Sequence, residues 1–336
     1  MRAFAKIALN IGCVAVLLSA FPAAAFAAES APPPAPHQTP QQLVDALYAV
    51  FGDHHDRAVH AKGIFLEGSF EPTTEAAALS KATLFSSGKL DLVARFSNFT
   101  GIPDIPDPSA NANPRGFALQ FYLPDDTQTD VITHSFNGFP VATADEFAVF
   151  LRAIASSGPG ATAPTALDQF LASHPIAKTF VTTQKPAPES FATLPYFGVN
   201  AFQFTAADGT TTFVRYRFVP QAGEHFVSAE DLKTKGNDYL LQEIAERVKT
   251  APVKFDWFAQ LSGKDDVIDN PSVAWPETRK LVKLGTITLT TISADQPTVS
   301  RMTSFQPERL PKGIDAADPM LDARQAAYPL SFHHRQ

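Results

Sequence analysis

Val199-Asn200-Ala201-Phe202-Gln203-Phe204 and Thr211-Thr212-Phe213-Val214-Arg215-Tyr216-Arg217-Phe218-Val219 lie on either side of Asp208-Gly209. Runs rich in aromatic and β-branched residues around Asp-Gly are the strongest short-range signal for a β-hairpin, because glycine supplies the positive φ the turn needs. The same pattern recurs elsewhere. Leu90, Leu92, Ala94 and Phe96 alternate with Asp91, Val93, Arg95 and Ser97, a period of two. Gly116 to Tyr122, Asp130 to Thr133 and the Thr- and Ile-rich Leu284 to Ile292 read as further strands. A helix is predicted from Thr39, its cap, with Pro40 at the first position, Gln42 completing a capping box and Gly52 as the stop. Two more are predicted at about 143–156, with a Thr143/Glu146 capping box, and about 238–249, with Leu240, Ile244 and Val248 on one side. No segment repeats, and strands do not alternate with helices in the Rossmann manner. The prediction is an α+β fold in one domain, residues 39–336: an antiparallel sheet closed into a β-barrel, with helical additions.

Residues 1–27 read as a signal peptide: Arg2 and Lys6 lead an apolar run that ends at Ala25-Phe26-Ala27. The run is too short for a stable membrane anchor, which needs about 20 residues. Residues 28–38, with Pro32-Pro33-Pro34 and Pro36, read as a Pro-rich tether. These features predict a periplasmic location. Cleavage after Ala27 removes Cys13, the only cysteine, so thiol chemistry is excluded. It also removes two cations and no acid, taking the formal charge from −7 to −9, which argues against nucleic acid or an anionic membrane as partner. The 28 phenylalanines fit either a Phe-rich core or an aromatic-lined cavity for a flat apolar ligand.

No G-x-S-x-G, P-loop, G-x-G-x-x-G or H-E-x-x-H motif is present. The pairs His54-His55 and His333-His334 read as solvent-exposed loop and tail residues, with metal binding as the alternative. Four segments carry the functional reading. They are Arg57-Ala58-Val59-His60-Ala61-Lys62-Gly63, Ala94-Arg95-Phe96-Ser97, Asn113-Pro114-Arg115-Gly116-Phe117-Ala118 and Arg324-Gln325-Ala326-Ala327-Tyr328. In this order and at these separations they resemble the haem-dependent catalases, in particular the short branch known as catalase-related peroxidases. The resemblance covers roughly residues 39–336.

The resemblance implies haem b as cofactor, with His60 as the acid–base above it, Ser97 orienting the imidazole and Tyr328 as the iron ligand. Imidazole suits proton transfer between peroxide oxygens because its pKa lies near neutrality. Phenol ionises at about 10, so a phenolate ligand needs help from the metal and a cation. Arg324, four residues before Tyr328, falls on the same helical face, in a helix that starts at Asp318-Pro319 and that Pro329 is predicted to end. Arg57, Arg95 and Arg335 match the propionate-binding positions. Val59, Phe139 and Phe147 match positions that pack on the haem or narrow its access channel.

Three departures from the catalase pattern bear on activity, the first being Asn113 in place of the acidic residue that polarises the main channel in catalases. His134 falls where catalases place a distal asparagine, with Asn137 three residues on as the other candidate. Eight residues follow Tyr328, so the C-terminal extensions of full-length catalases have no counterpart in the sequence. The expectation is a haem-dependent peroxidase that reduces hydrogen peroxide or organic peroxides with a small organic electron donor. It should have weak or no catalase activity and lose rate at mildly acidic pH, as a monomer or small homo-oligomer. An organic-hydroperoxide isomerase or lyase and a non-catalytic haem-binding barrel are the alternatives.

Overall fold

The computed structural model describes residues 34–336. The expected signal peptide and residues 28–33 of the tether lie outside that range. Nine strands form one antiparallel sheet: β1 (Gly63–Pro72), β2 (Leu90–Ser97), β3 (Gly116–Tyr122), β4 (Gln128–His134), β5 (Tyr196–Thr205), β6 (Thr211–Pro220), β7 (Val253–Leu261), β8 (Leu281–Ile292) and β9 (Ile314–Ala316). Their order is β4-β3-β2-β1-β8-β7-β6-β5-β9, and a β4–β5 pairing, His134 against Phe197, closes β1–β8 into a barrel. β9 pairs with Phe202–Phe204, farther along β5. Closure removes the unpaired edges that an open sheet would expose.

The opening hairpin forms with one refinement. Thr205 pairs with Thr211, the N–H of Gly209 donates to the Ala206 carbonyl, and Gly209 has φ +91°. The Ala206 N–H also donates to the Thr210 carbonyl at 2.8 Å, which leaves a three-residue turn, 207–209, whose glycine takes the left-handed position. Inside the barrel, alternate side chains of every strand meet in an aromatic core. Trp257 stacks on Phe121 and Phe218 at centroid distances of 5.6 and 5.2 Å, and Phe96 stacks on Phe117 and Phe191 at 4.7 and 5.3 Å. Each fully buried phenylalanine stabilises the fold by about 1.5–3 kcal/mol. Strands β1, β7 and β9 are not foreseen from the sequence.

The first helix, Pro40–Phe51, carries the expected capping box and stops at Gly52. The mid-chain helix Ala144–Ala155 is capped by Thr143, but Glu146 does not complete the box: its Oε2 accepts from Ala142 N–H instead. These two helices pack with the C-terminal helix, Met320–His334, through Leu43, Val44, Ala148, Leu151 and Ala327. Pro329 does not end that helix, contrary to the sequence expectation. Proline deletes one intrahelical N–H, yet the helix runs on to His334, and Leu330 packs into the same apolar cluster.

Candidate active site

The three helices enclose a cavity against strands β2–β5. It is lined by Arg57, Val59, His60, Arg95, Ser97, His134, Phe139, Phe147, Arg324, Tyr328 and Arg335, so the residues that the resemblance placed around the cofactor reach one space. Phe139 and Phe147 meet at 4.9 Å on its wall.

His60 is held from all sides. It sits at φ +59°, its N–H donates to Phe99 O at 2.8 Å, and its carbonyl accepts from Arg95 Nη1 at 2.8 Å. Its Nδ1 lies 3.0 Å from the Asn98 carbonyl and 3.0 Å from Ser97 Oγ. A carbonyl only accepts, so Nδ1 carries the proton and Nε2 keeps its lone pair. Gly116 makes room for the ring: a Cβ there would come within 2.5 Å of Ser97 Oγ and 2.8 Å of His60 Nδ1. Ser97, Gly116 and His134 form one row across β2, β3 and β4.

Asn98 in turn is gripped by a buried network. Arg115 Nη1 donates to its side-chain oxygen, its Nδ2 donates to Asp107 Oδ1 at 2.7 Å, and Lys62 Nζ lies 2.9 Å from that carboxylate. Arg115 and Asp107 are completely buried, which makes each hydrogen bond costly to lose. Asn98, Asp107 and Lys62 carried no predicted role. Asn98 directly follows Ser97, but the signal that it orients His60 is a backbone carbonyl, which residue type does not encode.

His134 faces the same space with the opposite polarity. Its Nδ1 accepts from the Phe136 N–H at 3.3 Å, so the proton resides on Nε2, which is buried and has no partner. Asn137 turns away, its Nδ2 lying 3.3 Å from Glu277 Oε1, and does not line the cavity. Burial first, and then the positive field of Arg95, lowers the His60 pKa to about 3. Burial and Arg324 lower that of His134 to about 3. Both rings are neutral at working pH. The expected loss of rate at mildly acidic pH therefore has no basis in these two groups, because burial moves their protonation far below that range.

Across the cavity, Arg324 donates to the Tyr328 phenolic oxygen from Nη2 at 2.7 Å and from Nε at 3.2 Å. Its Nη1 donates to Asn200 Oδ1 at 2.6 Å, and Asn200 Nδ2 donates to Asp318 Oδ2 at 2.8 Å. Asp318 Oδ1 accepts from Met320 N–H at the start of the same helix. Asn200 escaped the sequence reading because it sits where the β5–β6 register shifts, between Gly198 and Phe202, and period-two alternation does not say where a bulge aims a side chain.

A third group gathers positive charge. Arg57 donates to Ser300 and to the Thr303 carbonyl, and Arg335 Nη2 to the same carbonyl at 2.7 Å. Arg335 keeps Nε and Nη1 buried without partners, as Arg95 keeps its Nε. Burial lowers all three pKa values, that of Arg95 to about 10; neighbouring guanidinium groups lower those of Arg57 and Arg95 further, while Asp56 opposes the shift in each. Unpaired buried donors beside clustered cations make a site for an anionic group.

A family model described as Catalase matches residues 53–336. The chain belongs to the catalase family. It is a peroxide-acting oxidoreductase. This catalase-family enzyme is 36% identical over 302 residues to a catalase-related peroxidase of Mycolicibacterium paratuberculosis, covering 88% of this chain and 95% of the relative. It is 35% identical over 303 residues to one of Synechococcus elongatus, covering 88% of each. A fungal catalase structure superposes with a TM-score of 0.74 at 19% identity, over 83% of this chain and 59% of that one. Catalase A from Saccharomyces cerevisiae gives 0.73, also at 19% identity, over 83% of this chain and 61% of that one. At such identity the likeness shows the fold. The enzyme thus spans about three fifths of those catalases and nearly the full length of the peroxidase relatives.

Proposed function

We propose that this enzyme is an exported, periplasmic haem-b peroxidase that reduces hydrogen peroxide or organic peroxides with a small organic donor and has weak catalase activity. The observation that carries the reading is the pairing, across one cavity, of a phenol oxygen receiving two guanidinium N–H bonds with an imidazole whose Nε2 is left as a base. The donor set fits haem. Tyr328 offers an oxygen ligand whose negative charge Arg324 stabilises. The unpaired nitrogens of Arg335 and Arg95 suit carboxylate groups, and Val59, Phe139 and Phe147 offer apolar wall for a flat ring. When bound, haem supplies the redox centre that takes two oxidising equivalents from peroxide and passes them to a donor.

The chain's own residues handle the protons. His60 Nε2 accepts the proton of the incoming peroxide oxygen and returns it to the departing oxygen. The Asn98 carbonyl holds the proton on Nδ1 and so keeps Nε2 available. His134 Nε2–H donates a hydrogen bond toward the same space without carrying charge. The apolar wall limits bulk water around the reacting groups. No helix among the described residues is long and apolar enough to cross a membrane; export rests on the expected signal peptide, residues 1–27.

The test is steady-state turnover of the haem-loaded enzyme, with donor oxidation and oxygen release recorded together. Donor oxidation that far exceeds oxygen release is expected. Conversion of a lipid hydroperoxide without any donor would replace the reading by an isomerase, and tight haem binding without peroxide consumption would replace it by a haem carrier.

A further inference from the structure

The two histidine pairs take no part in the cavity, yet the fold brings one member of each together. His334, in the last turn of the C-terminal helix, places Nε2 2.9 Å from both carboxylate oxygens of Asp53, which lies 281 residues away in sequence. The His55 ring stacks on that of His334, at a centroid distance of 5.5 Å and an interplanar angle of 13°. His55 reaches this position by adopting φ +51°, a left-handed conformation that a side-chain-bearing residue takes only when its surroundings enforce it. Its own N–H donates to Asp53 Oδ1 at 3.1 Å, which bends the loop. Tyr48, 4.8 Å from the His334 ring, supports that ring from the first helix. One ligand atom from each of Asp53, His55 and His334 lies within 4.8 Å of the other two, the only such group of three among the described residues. The sequence neighbours are placed otherwise: His54 Nε2 bonds to the Phe51 carbonyl at 2.8 Å, and His333 lies outside the group.

We propose that Asp53, His55 and His334 form a surface site for a late first-row divalent cation such as Zn²⁺, Ni²⁺ or Cu²⁺. Two imidazole nitrogens and one carboxylate oxygen suit these ions, whereas Mg²⁺ and Ca²⁺ take oxygen ligands throughout. Zinc–ligand bonds of about 2.0–2.1 Å set neighbouring ligand atoms roughly 3.3 Å apart in a tetrahedron. The three side chains are exposed and free to close the remaining distance by small rotations. Water completes the coordination. The bound ion ties the loop after the first helix to the end of the helix that carries Tyr328 and Arg324. It acts as a clasp where the chain has no cysteine to form a disulfide beyond Cys13.

Zn²⁺ is titrated by calorimetry into the untagged, haem-loaded chain, and thermal unfolding is followed with and without it. One ion per chain and a raised unfolding temperature are expected. Asp53→Asn, His55→Ala and His334→Ala should each weaken binding by at least about tenfold and remove the temperature rise. His54→Ala and His333→Ala should bind as the parent does. The inference is overturned if the parent binds no zinc, if the His55→Ala/His334→Ala double variant binds it unchanged, or if Mg²⁺ binds as tightly.

Discussion

The Nδ1 of His60 lies 3.0 Å from the carbonyl oxygen of Asn98, and this contact decides which ring nitrogen faces the cavity as a base. Arg115 and Asp107 hold Asn98 through its side-chain amide, so a buried polar network behind the barrel wall sets the tautomer of the reacting histidine.

Replacing that base isolates its role. His60→Ala should keep haem content and slow the reaction with peroxide by about 10²- to 10⁴-fold, the usual loss for a general acid–base. His54→Ala and His225→Ala should change little, because both rings are exposed, bond the Phe51 and Ala222 carbonyls and lie outside the cavity. Stopped-flow mixing with peroxide reads this directly, and equal rates in all three variants would remove His60 from the mechanism.

Gly116→Ala probes the seat of the same ring without touching it. The new methyl would stand 2.5 Å from Ser97 Oγ and 2.8 Å from His60 Nδ1, so one of them must move. Peroxide reactivity should fall at least about tenfold while haem content stays near normal. A variant with parental kinetics would show that the ring tolerates displacement.

On the opposite side, Tyr328→Phe should strongly reduce haem retention, and Arg324→Ala should alter the ferric absorption spectrum with a smaller loss of haem. Asn200→Leu removes the link from Arg324 to Asp318 and should shift the same spectrum in the same direction, by less. Full haem occupancy and an unchanged spectrum in Tyr328→Phe would sink the ligand assignment.

His134 is the neutral donor on the cavity and Asn137 is turned to Glu277. His134→Leu should therefore lower peroxide reactivity, His134→Asn should retain it and raise the share of oxygen release, and Asn137→Ala should behave as the parent. Because both histidines have pKa values near 3, the parental rate should show no histidine-like acid limb between about pH 5 and 8. A limb near pH 6 that disappears in His134→Asn would contradict the burial argument.

The same depression makes stability depend on pH. Below about 6.5 the unfolded chain protonates these imidazoles while the folded chain does not, so their contribution is complete above 6.5 and lost as pH falls toward 3. The slope is up to about 1.4 kcal/mol per pH unit for each ring. Asp130 acts in the opposite sense, since burial raises its pKa to about 6 and the folded state takes up that proton first. Between about pH 6 and 4 it offsets part of the loss. His134→Gln should reduce the fall in unfolding temperature between pH 7 and 4.5, and an unchanged fall would show that His134 ionises freely in the folded enzyme.

The sequence by itself determined the features that short-range physics controls. Asp208-Gly209 set a hairpin, period-two alternation marked Leu90–Ser97, Thr39 and Gln42 capped the first helix, and the four-residue spacing put Arg324 beside Tyr328. Each depends on dihedral preferences or on neighbours within one turn, so a linear pattern carries it. Only the tertiary structure decided the rest. The Asn98 carbonyl, just past the end of β2 and 38 residues along the chain, assigns the tautomer of His60, a register shift aims Asn200 at Arg324, and helix packing carries the C-terminal helix through Pro329. Burial, which no single residue type encodes, holds His60 and His134 neutral. These outcomes depend on desolvation and on contacts between residues far apart in the chain, and such energies exist only once the barrel has closed.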